Sequence, residues 1–212
     1  MKKLLFIFVI AIFVVACKDD GSKVYFDAGI KKMYESTDSA QRIANYKNAF
    51  ADFNKAIEIN PNYVDAYMNR ANIKNELGDY QGFLQDCKKA SEIEPENTNV
   101  YIYLARIKKT RGDINGALAV LQKAISIDAK LSKAFSDRAE IKSGQKKYKD
   151  ALADYDKAIK FTSDKELLKY LYSNRGLTHL DLGDKNSACE DFHNAKDLRN
   201  PNAQGEIDSF CK

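Results

Sequence analysis

Ala66-Tyr67-x3-Ala71, Val100-Tyr101-x3-Ala105, Ala134-Phe135-x3-Ala139 and Leu171-Tyr172-x3-Gly176 are four versions of one phrase. The first three stand 34 residues apart and the last is offset by 37. Working outward, a second phrase repeats with them: Ala117-x3-Leu121-x2-Ala124, Ala151-x3-Tyr155-x2-Ala158 and Ala188-x3-Phe192-x2-Ala195, with Ala49-x3-Phe53-x2-Ala56 upstream. A fixed period of this length marks stacked supersecondary units, each too small to bury its own apolar face. The spacings i, i+4, i+7 are those of one helix face. The chain therefore reads as paired helices, all-α, repeated along nearly its whole length.

Each conserved slot has a mechanical reason. The aromatic (Tyr67, Tyr101, Phe135, Tyr172) fills the space between paired helices, and the small residue four places on (Ala71, Ala105, Ala139, Gly176) lets the second helix approach. A bulky side chain there overpacks the contact, at a cost of about 1–3 kcal/mol. Gly78-Asp79, Gly112-Asp113 and Gly183-Asp184 stand where the first helix must end, since glycine accepts the left-handed cap conformation. Pro61, Pro95 and Pro201 fall near the close of second helices, where a missing donor does little harm. The pattern resembles the tetratricopeptide repeat. That resemblance implies an α-solenoid of about five helical hairpins, at about 22–63, 64–97, 98–131, 132–168 and 169–202, within an array over 24–202. Residues 203–212 read as a capping helix, which repeat arrays require.

Departures from the pattern are informative. Phe83 takes a slot normally held by alanine, behind Gly82, which predicts a splayed or shifted second hairpin. Lys146-Lys147 replaces the Gly-Asp turn, and extra residues near Asp164–Glu166 lengthen the connection into the fifth repeat. Tyr25-x3-Gly29 fits the first phrase only with about eight residues inserted before Ala49. Arg70, Arg138 and Arg175 occur in the repeats that carry Asp86, Asp154 and Asp191, whereas the third repeat has Leu104 and Val120 in the same slots. This covariation between repeats predicts an ion pair inside each of the three hairpins.

Length and composition admit one or two domains or one repeat array, and the formal net charge of +4 shows no basic stripe of the kind nucleic-acid binders carry. Two of those charges, Lys2 and Lys3, open a segment that continues without charge from Leu4 to Ala16 and ends at Cys17. A basic start and a short apolar run are a secretory signal, too short for a comfortable membrane span. Val14-Val15-Ala16-Cys17 resembles the bacterial lipobox, which implies a lipoprotein signal peptide over 1–16, acylation of Cys17 and attachment to the membrane through lipid. A simple signal peptide with a chance cysteine is the alternative. Residues 17–23 are then a polar tether. Its Lys18-Asp19-Asp20 resembles the export signal of surface lipoproteins in one group of bacteria. An outer-membrane location in the cell envelope is expected, facing either the surface or the periplasm.

Chemistry has poor material here. His179 and His193 lie on facing helices of the fifth repeat, and no metal-binding, phosphate-cradling or nucleophile motif accompanies them. No catalytic, cofactor or metal site is expected. Cys87 fills a core slot. Cys189 and Cys211 form either a disulfide between the last hairpin and its cap or two unpaired thiols. Binding remains. The resemblance implies a concave groove lined by the first helix of each pair, with a protein or peptide ligand. Carried onto this chain, the groove presents Asn69, Asn72, Asn99, Arg106, Lys109 and Lys133, suited to a peptide backbone or carboxylate. A glycan-binding or uptake-associated surface lipoprotein is the second reading, for which Tyr103 and Tyr170 are the candidate platforms.

Overall fold

The computed structural model describes residues 20–35 and 38–211. Cys17, the segment 1–16 and most of the tether lie outside the described residues. Among the described residues there are eleven helices and no strand: α1 (Ser22–Met33), α2 (Ser39–Ile59), α3 (Val64–Glu76), α4 (Tyr80–Ile93), α5 (Thr98–Thr110), α6 (Ile114–Ile127), α7 (Ser132–Gly144), α8 (Tyr148–Lys160), α9 (Lys165–Leu182), α10 (Lys185–Asp197) and α11 (Ala203–Phe210). They pack as antiparallel neighbours in hairpins, the expected all-α solenoid class. Two compact units divide between Lys89 and Ala90, inside α4.

In the first unit, Phe53, Ala49 and Ala56 of α2 are fully buried with Met33, Ala66 and Ile73. Gly29 holds the small slot of the first hairpin: a Cβ there would come within 2.7 Å of the Phe53 ring. The inserted residues before Ala49 are spent as helix, which makes α2 21 residues long. Tyr25, by contrast, is not the packing aromatic. It is exposed, and the neighbouring Phe26 stacks obliquely on Phe53 and Tyr63, with ring centroids 5.7 and 4.9 Å away. Phe83 is buried completely, and Arg70 of α3 reaches Asp86 of α4 with the same two-point contact found in the fourth and fifth hairpins.

The second unit buries Ala105, Ala117, Leu121 and Ala124 between α5 and α6, then Ala139, Ala151, Tyr155 and Ala158 between α7 and α8. At Gly176 the packing of Phe192 repeats that of Phe53 on Gly29, with the same 2.7 Å to a built Cβ. The residues near Asp164 do not form a longer loop. Asp164 accepts from the Glu166 amide at 2.9 Å and starts α9 early, giving a helix of 18 residues where α7 has 13.

The covarying pairs meet as predicted. Arg70 donates twice to Asp86 (2.9 and 2.7 Å), Arg138 twice to Asp154 (2.8 and 2.6 Å) and Arg175 twice to Asp191 (2.9 and 2.7 Å). The planar guanidinium fork suits this two-point contact. The third nitrogen of each arginine reaches back to the second helix of the preceding hairpin: Asn54 at 2.8 Å, Gln122 at 2.7 Å and Asp156 at 2.6 Å. Asp52, which has no arginine, pairs with Lys32 of α1 at 2.6 Å.

Candidate functional site

The six groove residues fall in both units. Asn69 and Asn72 are half-buried on α3 of the first, and the Asn69 amide donates to the Asp65 carbonyl one turn back at 2.8 Å. Asn99, Arg106 and Lys109 are on α5 and Lys133 is on α7, all in the second unit. Asn99 and Lys133 are exposed.

The two remaining cations are each paired with an acid. Arg106 donates to both carboxylate oxygens of Asp137, at 2.7 and 3.1 Å, and Lys109 donates to Glu140. The acids come from α7, the first helix of the next hairpin, 31 residues on in each case. The bond to Asp137 is the main reason the Arg106 guanidinium is raised above its ordinary value. Two ion pairs thus run as rungs from α5 to α7. Beside the second rung is a cavity of about 270 Å³, lined also by Ile114, Ile141, Gly144 and Gln145. On α9 the same face turns apolar: Tyr170 and Leu177 are 48% and 40% exposed. They occupy the slots that Lys133 and Glu140 hold on α7. Leu177 was legible from that register, because position within the repeat fixes the face; polarity alone directs attention to the charged helices.

Other candidate chemistry is placed differently. His179 Nδ1 lies 3.6 Å from the Asp184 carboxylate at the turn between α9 and α10, whereas His193 is exposed on α10. Among the described residues no group of three or more histidines, cysteines or acids is set to hold a metal ion, and no helix is long and apolar enough to cross a membrane. Cys87 is buried and free, and burial pushes its thiol up to about 12. Cys189 and Cys211 are joined, with Cα atoms 5.6 Å apart.

Hairpins of about 34 residues, closed by small-residue faces and displaying the first helix of each pair, define a helical-repeat protein of the solenoid class. Two family models of the tetratricopeptide repeat match parts of the chain, one at residues 53–82 and the other at 38–63 and 98–131. No curated protein matches it in sequence. Among solved structures it is similar to Pseudomonas aeruginosa PilF, at 16% identity and a TM-score of 0.68 over 85% of this chain and 75% of that one. MamA of Desulfovibrio magneticus RS-1 aligns at 15% identity and a TM-score of 0.65, over 87% and 97% of the two chains. YrrB, described as a tetratricopeptide-repeat protein with an unusual peptide-binding site, aligns at 16% and 0.60, over 91% and 93%. At these identities the likeness is one of fold.

Proposed function

We propose that this protein is a non-catalytic adaptor of the bacterial envelope, anchored to the outer membrane through acylated Cys17, which binds a polypeptide segment across the exposed face of the first helices of its second unit. The face of the second unit carries the reading. Asn99, Lys133 and the rungs Arg106–Asp137 and Lys109–Glu140 offer spaced donors and acceptors, and Tyr170 and Leu177 add exposed apolar surface. Such an alternation suits an extended peptide, whose backbone needs hydrogen bonds and whose side chains need apolar contact. The paired rungs keep both charges oriented before a ligand arrives, which limits the ordering cost of binding. The peptide-binding site named for YrrB supports the same use of the fold.

Photo-cross-linking in cells tests the adaptor role, with probes replacing Asn99, Arg106 and Lys133 and reference probes at the exposed Lys123 and Lys157 of α6 and α8. The expected result is a discrete protein adduct from the first set alone, abolished by Leu177→Asp. Adducts no stronger than the α6 and α8 background would overturn it. Anchoring is tested separately, by incorporation of an alkyne-labelled fatty acid that is lost in Cys17→Ala. A glycan ligand is the second reading, favoured by the exposure of Tyr170; Tyr103 is half-buried and supports it less.

A further inference from the structure

α1 packs on α2 through Phe26, Gly29 and Met33, and the buried Ser22 recurs on the same side of the helix. Its opposite side is open, and the apolar part of that side is concentrated in the first turn. Val24 is 64% exposed and Tyr25 39%, beside the exposed Lys23. A cation, an aliphatic side chain and a tyrosine in succession form the chemistry of a membrane–water interface. The aliphatic group leaves water, the phenol keeps its ring in the apolar layer with its hydroxyl wet, and the ammonium meets phosphate.

Chain length makes the bilayer the occupant. Asp20 already belongs to the start of α1, since its carboxylate accepts from the Ser22 amide at 2.9 Å. Three residue steps separate Cys17 from Asp20, a span of at most about 11 Å even when fully extended. An acyl chain on Cys17 places that residue at the headgroup layer. The first turn of α1 is thereby held within the depth of the interfacial zone, and a soluble partner would have to displace lipid to reach it. We propose that Lys23, Val24 and Tyr25 bed into the lipid interface and fix the orientation of the α1–α2 hairpin on the membrane, so that the anchored protein does not rotate freely about its tether. The proposal rests on acylation of Cys17.

The chain has no tryptophan, so a single inserted one reports cleanly. Val24→Trp and, as a second probe in an existing aromatic position, Tyr25→Trp are purified as the lipidated chain and reconstituted in phosphatidylethanolamine–phosphatidylglycerol vesicles. The expected result is a blue-shifted emission, quenching by lipids brominated near the headgroup end of the acyl chain, and severalfold protection from iodide. Both tryptophans remaining open to iodide and unquenched by brominated lipid, on protein that floats with the vesicles and carries the acyl mass, overturns the docking. Protein that neither floats nor carries that mass overturns the anchor itself, so the two failures are told apart.

Discussion

Asp154 shows how much a single carboxylate can hold. It accepts two hydrogen bonds from Arg138 and one from Lys142 while almost wholly buried. Burial is the largest influence on its acidity and pushes the pKa up, but the hydrogen bonds and charges of Arg138 and Lys142 together outweigh it and hold the carboxyl below its ordinary value. Removing the charge with Asp154→Asn leaves a buried guanidinium without its counterion, and urea denaturation should show a loss of about 3 kcal/mol. Because folding lowers this pKa, the stabilisation is in full above the unfolded value of about 3.9 and drains away as pH falls through the folded one. The gap between the natural protein and Asp154→Asn should therefore be constant near neutrality and shrink below about pH 4. The third repeat has solved the same position with Leu104 and Val120. The double change Arg138→Leu with Asp154→Val, which copies it, should restore stability to within about 1 kcal/mol, since apolar packing can replace a buried pair. A double variant as unstable as the single one would show that the bonds to Gln122 and Lys142 matter more than the hairpin pair.

The first helices α3, α5, α7 and α9 end in one way, and the turn between α7 and α8 is the instructive instance. Gly78, Gly112 and Gly183 adopt φ of 85°, 81° and 88°, and Lys146 is forced to the same left-handed region at 61°. The hydrogen bonds are the same too. Lys147 donates to Lys142 at 2.9 Å, as Asp113 does to Lys108 at 2.9 Å and Asp184 to His179 at 2.8 Å. What the turn lacks is glycine's freedom and a capping carboxylate, such as Asp113 provides to Gly116 at 2.9 Å. Lys146→Gly should gain about 1 kcal/mol and Lys147→Asp about 1 kcal/mol, additive to about 2 in urea denaturation. The missing turn signal was visible in the sequence, and the helix break came at the same place anyway, because neighbouring packing overrides one unfavourable residue. The sequence misjudged Tyr25 and the residues near Asp164 for a related reason. Spacing locates a slot to within one residue, but whether Tyr25 or Phe26 fills it, or whether an insertion coils or loops, depends on contacts with α2 and on a cap at Asp164.

At the scale of the whole molecule, α11 closes the second unit. It is held by the Cys189–Cys211 bond, the Phe192–Phe210 ring contact and the bond from Ser173 to Glu206 at 2.7 Å. Cys189 and Cys211 are 22 residues apart, a loop whose closure is worth about 3 kcal/mol in the chain-entropy model. Treatment with a dithiol should lower stability by about that amount and speed amide exchange over 203–210 before any other segment. Alkylation of the unreduced, unfolded chain should modify Cys87 and leave Cys189 and Cys211 untouched; modification of all three would exclude the bond. Fold class, hairpin register and the within-repeat ion pairs were legible because each repeats its own evidence. The rungs Arg106–Asp137 and Lys109–Glu140 were not, since they join adjacent repeats and occur where no second copy exists to compare. The division at Lys89–Ala90 left no trace either: the period runs through it unbroken.

The backward reach of the clamp arginines bears on how such a chain can grow. Arg175 finds Asp156 in the hairpin before it, and Arg138 is its counterpart one repeat earlier. If the gene segment encoding 132–168 were copied in tandem, the new Arg138 would stand to the first copy's Asp156 as Arg175 does now, and the second Asp156 would meet Arg175. Both halves of the joint are carried within one unit of inheritance, so the array can lengthen by duplication with its neighbour-to-neighbour bond already in place.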